Sequence, residues 1–554
     1  MLVAPGCKTA KLLGAFLLSF MDSKRINKNQ FVITTPLYYV NALPHMGSAY
    51  PTIAADVLSR FYRLRGYSTL FVTGTDEHGQ KIQRSAESAG RDPQAHCDQI
   101  VAQFKALWEL LDIRFDHFIR TTDPRHEKIV NEFYQRVLAQ DDIYLGHQKG
   151  WYCVACEEFK EERELLDEHR CPIHTNLKAE WRDETNYFFR LSKYQDKLEH
   201  LYAENPNFIQ PEARRNEVIS FVGQGLQDFS ISRVNVSWGI PVPSDSNHTL
   251  YVWFDALLGY ITALLKAEDP PLLENALAQW YPVNVHLIGK DILRFHAVYW
   301  PAMLMSAGLP LPDRIFGHGY LTKDGQKMGK SLGNVLDPFE LVNQYGSDAV
   351  RYYFLKEIEF GRDGDFNENR FVNILNADLA NDLGNLLNRT LKMANKYCDA
   401  KVPAPVENSW QDSTFVELGR SLGERTVQSY EALAFSHAYE QILTVVRAGN
   451  KFIDEQAPWS LFKQEQYAAA NHVIYTVLET VRLAAYLLSP VIPSVSTAIY
   501  QQLGFLIDFS DQSKIMQLAP FELHSAWGIL PVGQRLGDPQ PVFQRLELLQ
   551  SVST

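Results

Sequence analysis

Residues 31–40, FVITTPLYYV, form a run of β-branched and aromatic residues without a single charge. Such a run reads as a buried strand. NALPHMGSAY follows as a turn into a helix, on which Ala54, Ala55, Val57, Leu58 and Phe61 supply an apolar face. STLFVTGTDEHG (68–79) is a second strand ending in a polar loop. Strand, helix, strand predicts a parallel α/β sheet, in which ligands bind beyond the carboxyl ends of the strands. VHLIGKDI (285–292) and RIFGHGYLT (314–322) repeat the strand-then-polar-loop pattern.

Between about 145 and 180 the texture changes to cysteines, glutamates and short turns. One α/β domain interrupted by an insertion accounts for both observations. From about 370 to 505 the periodicity becomes helical, best seen in LANDLGNLLNRTLKMANKY. With 554 residues, 46% apolar and 21% charged, the chain is long enough for several domains and ordinary in composition. A net charge of −12 argues against a surface that binds nucleic acid everywhere, though not against a local basic groove. No apolar run reaches membrane-spanning length, so no membrane association is expected. Residues 1–28 mimic a weak signal peptide without a clear cleavage site. A start at Met21 and a short organelle-targeting segment stand as alternatives.

Six cysteines are too few for a disulfide framework. Three of them cluster: CVAC (153–156) is followed after fourteen residues by CPIH (171–174). Cys153, Cys156, Cys171 and His174 match a closed tetrahedral structural zinc site, with His169 as a spare ligand. With no open coordination position, the zinc should stabilise the insertion rather than react.

Two further motifs are weak separately. PHMGSAY (44–50) puts His45 and Gly47 at a helix N-terminus, where backbone N–H groups attract anions. LTKDGQKMGKSLGN (321–334) ends like a phosphate loop, but the required first glycine falls on Asp324. Lys327 and Lys330 of its KMGKS segment make a cationic loop before Asp337–Pro338, which reads as an N-cap followed by a first-turn proline.

Together, an upstream H-x-G turn, a downstream K-M-x-K-S loop and a split α/β domain resemble the class I aminoacyl-tRNA synthetases. TTPLYYVNALPHMG, TGTDEHGQKI, YVWFDALLGY, HLIGKDILRFHAVYWPAML and DEQAPW narrow the resemblance to the methionyl-tRNA synthetase family, from about residue 30 to about 545. Two positions depart from the usual HIGH and KMSKS motifs: Ser48 replaces the second histidine and Gly329 the first serine. Activity is still expected, with Ser48 contributing less than a histidine would.

The resemblance implies a Rossmann-like catalytic domain (29–140 and 236–320) split by a zinc-bearing insertion (141–235). A KMSKS-type segment (321–370), an α-helical anticodon-binding domain (371–530) and a tail (531–554) follow. It implies a methionine–tRNA ligase acting through methionyl-adenylate, with His45, Lys327 and Lys330 stabilising the reacting phosphates and Mg2+ accompanying ATP. Gly47, Ser48, Lys290, Asp291, His318 and Arg233 would also meet ATP. Leu37, Tyr39, Trp253, Tyr260, Phe295, His296 and Trp300 would line the methionine pocket, and Asp76 would hold its ammonium group. Asn385, Arg389 and Trp459 would read the anticodon of tRNA(Met), initiator included. A monomer is expected, because the chain ends too early for the dimerising domain that some family members append, and the cytoplasm is the expected compartment, with organelle import through residues 1–28 as the alternative. Two rivals are another adenylyltransferase of H-x-G type and a non-catalytic tRNA-binding paralogue. The helical C-terminal region argues against the first, and the retained His45, Asp76 and lysines against the second.

Overall fold

The computed structural model describes residues 29–154, 156–160, 162–172, 175–234, 236–328, 334–406 and 414–547. The chain divides into two compact units. One comprises residues up to Asn41, Val72–Asp98 and His117–Phe316. The other comprises Ala42–Phe71, Gln99–Asp116 and the chain from Gly317 onward.

The first unit is built on a six-stranded sheet. Its strands are β1 (Gln30–Tyr39), β2 (Ser68–Asp76), β3 (His117–Arg120), β4 (Ile209–Gln210), β5 (Val285–Gly289) and β6 (Arg314–His318), in the spatial order β3-β2-β1-β5-β6-β4. The pairs β2–β3, β1–β5 and β6–β4 run parallel. The chain steps outward from β1 on one side and resumes with β5 on the other, so β1 and β5 flank a topological switch point. Their carboxyl ends, Tyr39 and Gly289, therefore bound the crevice where such sheets bind ligands. β1 is buried from Phe31 to Pro36, as its uncharged sequence predicts. Asn284 Oδ1 accepts the Val32 N–H at 2.7 Å, and Thr34 Oγ1 meets His286 Nδ1 at 2.7 Å.

A four-stranded antiparallel sheet forms the interruption, in the spatial order Glu158–Lys160, Ile143–Cys153, Glu180–Phe189, Phe229–Ser230. The two long strands pair from Ile143↔Phe189 to Tyr152↔Glu180. Residues beyond them return to the central sheet as β4, where Ile209 pairs with Ile315.

In the second unit, α1 (Met46–Leu64) departs from the single apolar face expected of it: every residue from Ser48 to Phe61 is buried. The burial takes in Asp56 and Arg60, which satisfy each other at 2.7 Å. The helical region contains α2 (Ser347–Glu357), α3 (Leu386–Tyr397), α4 (Phe435–Gln456), α5 (Pro458–Lys463), α6 (Tyr467–Leu488) and α7 (Pro493–Gln502). A π-helical stretch, Asn376–Asn385, runs directly into α3. α6 is buried without interruption from Val473 to Leu488 and forms the axis of this bundle.

The first half of the near phosphate loop is a hairpin. Leu321–Lys323 pairs antiparallel with Gln326–Lys327, and Asp324 and Gly325 at the turn have φ of 51° and 73°. Two successive positive φ values are the tight-hairpin geometry that Asp-Gly favours. Asp365 Oδ1 accepts the Gly325 N–H at 2.8 Å and the Thr322 hydroxyl at 2.6 Å, and fixes the turn. The expected cap at Asp337 is present: its carboxylate accepts the Phe339 N–H at 2.8 Å at the start of Pro338–Tyr345.

Candidate functional site

In the first unit, an aromatic group gathers at the carboxyl end of β1. The Trp253 ring stacks on Phe295 with centroids 4.0 Å apart and planes 8° apart. Tyr39 meets Trp253 edge to face at 6.4 Å, and His296 meets it at 6.1 Å. Tyr260 and His296 are joined by a hydrogen bond of 2.8 Å between the Tyr260 hydroxyl and Nε2. His296 Nδ1 lies 3.1 Å from the Ile292 carbonyl, so the proton sits on Nδ1 and Nε2 accepts from Tyr260. Burial pushes the His296 pKa down to about 4, which keeps the ring neutral at physiological pH. Leu37 packs over Gly259, where an added Cβ would fall 2.5 Å from Leu37 Cδ1. Trp300 is also buried, but its ring neighbour is Phe133 at 6.3 Å, deeper in the core.

Asp76, the last residue of β2, is 1% exposed, and its Oδ1 has no hydrogen-bond partner among the described residues. Burial, reinforced by the charges of Asp255, Glu157 and Glu77, raises its pKa well above the usual carboxylate range. An isolated buried carboxylate oxygen is costly unless a donor arrives.

Asp255 holds the neighbouring segments together. Its Oδ2 lies 2.6 Å from His78 Nδ1, and its Oδ1 lies 2.7 Å from His126 Nε2. It thereby ties the loop that follows Asp76 to the segment that carries Trp253 and Tyr260. Neither Asp255 nor its histidines stood out in the sequence, because they are dispersed along the chain and meet only in the fold.

Lys290 and Asp291 form a single 3-10 turn with Ile292 directly after β5. Asp291 is exposed and lies inside the turn, whose N-cap is Gly289. Arg233 is 5% exposed. Its Nη1 donates to Ser230 Oγ at 2.8 Å and to the Ser232 carbonyl at 2.7 Å, and its guanidinium lies 4.2 Å from the Tyr251 ring centre.

In the second unit, His45 is the N-cap of α1. Its Nδ1 accepts the Gly47 N–H at 3.0 Å, which assigns the proton of the neutral ring to Nε2. The ring folds back so closely that a Cβ on Gly47 would lie 2.7 Å from His45 Cε1. Glycine at the third position of H-x-G thus lets the His45 ring keep this folded-back position. The Ser48 hydroxyl closes a capping box: it donates to the His45 carbonyl at 2.7 Å and accepts the His45 N–H at 3.2 Å. His318 lies 5.8 Å from Tyr50 and 6.0 Å from Phe360, ring to ring. At Gly319 a Cβ would come within 2.3 Å of the Arg362 backbone. Lys327 occupies the second hairpin strand opposite Thr322. Gly329, Lys330 and Ser331 lie outside the described residues.

Cys153, Cys156 and Cys171 converge, with their three sulfurs within 4.8 Å of one another and Cys156 and Cys171 3.5 Å apart. A tetrahedral zinc with Zn–S bonds near 2.3 Å separates its sulfurs by about 3.8 Å, so the spacing and the donor type both fit. His174 lies outside the described residues. His169 stacks on Trp151 at 3.8 Å and is not part of the sulfur cluster.

Trp459 is the second residue of α5 and remains partly exposed, while Phe462 of the same helix stacks on Tyr397 of α3 at 4.2 Å. Asn385 is exposed, and Arg389 pairs with Asp454 of α4 at 2.5 Å, five residues before Trp459.

The family model for tRNA synthetases class I (M) matches residues 31–180 and 164–391. The model for the anticodon binding domain of methionyl tRNA ligase matches residues 402–551. The chain is 65% identical over 530 residues to a methionine–tRNA ligase of Nostoc sp., covering 95% of this chain and 99% of that protein. It is 54% identical over 520 residues to the chloroplastic/mitochondrial methionine–tRNA ligase of Arabidopsis thaliana, covering 94% and 83%. A solved structure of Mycobacterium tuberculosis methionyl-tRNA synthetase in complex with methionyl-adenylate aligns with a TM-score of 0.87 at 42% identity, covering 93% of this chain and all of that one.

Proposed function

The chain belongs to the methionyl family of class I tRNA synthetases, and from that membership we propose that it charges tRNA(Met), initiator included, with methionine through methionyl-adenylate. The observation that carries the reading is Asp76: a buried carboxylate with an unpartnered oxygen, next to a group of aromatic rings. Methionine supplies what both lack. Its ammonium group satisfies the Asp76 oxygen, and its polarizable thioether suits aromatic neighbours. Tyr39, Trp253, Tyr260, Phe295 and His296 enclose it, with Leu37 over Gly259. Trp300 supports the wall from behind.

The methionine carboxylate attacks the α-phosphorus of ATP, and pyrophosphate leaves. No general base is required, because the carboxylate is already ionised at neutral pH. The protein's part is positioning and charge stabilisation. His45 donates through Nε2–H from the amino end of α1, whose turn, with Gly47, favours anions. Ser48 contributes by building that turn. Lys327 and Lys330 take up the charge of the leaving pyrophosphate. Lys290, Asp291, Arg233 and His318 bind the nucleotide, and Mg2+ accompanying ATP would offset the charge of its phosphates. Methionyl transfer to the terminal adenosine of the tRNA follows. Trp459 stacks on an anticodon base, with Asn385 and Arg389 beside it.

Cys153, Cys156 and Cys171, with His174 as the fourth ligand expected from the sequence, would hold one zinc, which would stabilise the insertion rather than react. We read the protein as a monomer, with the domain limits drawn from its sequence. No helix among the described residues is long and apolar enough to cross a membrane. The cytoplasm is the compartment we propose.

The test is amino-acid-dependent ATP–pyrophosphate exchange, with each standard amino acid offered separately and zinc content measured on the same sample. Exchange with methionine alone supports the pocket. Exchange with another amino acid refutes it, and no exchange at all in folded, zinc-loaded protein refutes the enzymatic reading.

A further inference from the structure

Side chains of the two long strands in the interrupting sheet alternate between its faces. On one face Tyr152 is buried, with the Arg182 guanidinium 3.8 Å from its ring centre. Arg182 Nη2 donates to Gln80 Oε1 at 2.8 Å, at the start of the helix that follows the loop after β2. On the other face Trp151 and Trp181 stand directly opposite each other. Their rings meet edge to face at 5.3 Å, and His169 stacks on Trp151 at 3.8 Å with planes 15° apart. His169 comes from the loop between Cys156 and Cys171, and its carbonyl accepts the Ala179 N–H at 2.9 Å, two residues before Trp181. Rings from three segments thus form one group, yet Trp181 remains 58% exposed. Lys149 and His147 flank the rings on this face and share one carboxylate, Asp183, at 2.6 and 2.9 Å.

We propose that Trp181, backed by Trp151 and His169, is a stacking platform for the unpaired 3′ end of the tRNA. The inference rests on reading the chain as a tRNA-charging enzyme. A cross-strand aromatic pair supports a ribbon by itself, and that role needs neither a third ring from another loop nor an indole left in water. Every base has a π-face, so an exposed indole holds an unpaired nucleotide whatever its identity. Paired bases keep their faces covered, so a single-stranded segment is the part of a tRNA that such a platform suits. Lys149 and His147 offer donors to the phosphates beside the stacked base. Charging brings the terminal adenosine to the compact unit that contains β1 and Asp76, and this sheet belongs to the same unit. The loop of the three thiols thereby acquires a second task, because it delivers His169 to the stack.

The test compares the wild type with Trp181→Ala in binding intact tRNA(Met) and the same tRNA trimmed of its unpaired 3′ nucleotides, at one salt concentration. Zinc content and tRNA-independent pyrophosphate exchange are measured on the same preparations and should match the wild type. Trp181→Ala is expected to weaken binding of the intact tRNA about five- to 150-fold, the range for one stacked base. Its affinity for the trimmed tRNA should change less than about twofold. Trp181→Phe keeps a π-face and should retain most of the affinity. Equal losses on both tRNAs overturn the proposal. So does unchanged binding of the intact tRNA, which would leave the face to a protein partner. A measurement on the wild type avoids any folding defect of the variants: tRNA carrying a photoreactive base at its 3′ end should label the strands of Trp151 and Trp181. Labelling confined to other segments overturns the proposal. A wild type that neither binds tRNA(Met) nor exchanges with methionine refutes the functional reading itself, and that outcome is separate.

Discussion

Arg351 Nη2 lies 2.6 Å from Asp56 Oδ2, and neither side chain is more than 1% exposed. Asp56 also takes Arg60 Nε at 2.7 Å and the Arg114 N–H at 2.8 Å. Arg351 donates onward to the carbonyls of Pro490 and Val491 at 2.8 and 3.0 Å. One guanidinium therefore joins α1, the helix that His45 caps, to the connection between α6 and α7. Removing one partner of such a pair leaves a buried charge uncompensated. Asp56→Ala is expected to cost about 3–5 kcal/mol in urea unfolding. Adding Arg351→Met should restore part of that loss, because the second change removes the orphaned cation. A double variant as unstable as the sum of the two single ones would contradict this account.

His45 and Ser48 should separate cleanly by mutation. His45→Ala removes the donor nitrogen and is expected to slow methionine-dependent pyrophosphate exchange about 10²- to 10³-fold. Ser48→Ala breaks the capping box, costs about 1 kcal/mol of stability, and should lower exchange less than about tenfold. Gly47→Ala displaces the His45 ring and should resemble His45→Ala. If Ser48→Ala abolished exchange as thoroughly as His45→Ala, the ranking would be wrong.

Stability should fall on mild acidification through His296. Its folded pKa is held down to about 4 from an ordinary value of 6.5, first of all by burial. Between those values the unfolded chain binds a proton that the folded chain refuses. Stability therefore decreases as pH falls across that window, by up to about 3 kcal/mol for this group. His286, also held well below its ordinary value by burial, acts in the same direction. Urea midpoints at about pH 7.5 and about pH 5 should differ less in His296→Asn than in the wild type. Equal differences would remove His296 from the explanation.

Trp459→Ala should spare amino-acid activation and impair tRNA charging. The loss of one stacked base is worth about 1–3 kcal/mol, or roughly a five- to 150-fold rise in the KM for tRNA. Pyrophosphate exchange without tRNA provides the control. A fall in that exchange would place Trp459 in the core rather than at the anticodon.

The sequence by itself determined the alternation of strand and helix, three thiols at metal-binding spacing, and the H-x-G and lysine motifs. These properties are local: a buried strand, an N-cap or a knuckle is written in adjacent residues, and its physical cause lies within a few positions. It also suggested a phosphate loop at 321–334 and then dismissed it on spacing. The fold shows why, since Asp324 and Gly325 spend their backbone freedom on a hairpin turn. Only the tertiary structure decided that α1 would be buried all round, because the partner of Asp56 is Arg351, nearly three hundred positions away. Only it paired Tyr260 with His296, set Asp255 between His78 and His126, and brought Glu157 to Tyr39. A buried polar group must find a donor or acceptor wherever the chain happens to return. That return is fixed by the packing of the whole sheet and is not encoded in the neighbourhood of either residue.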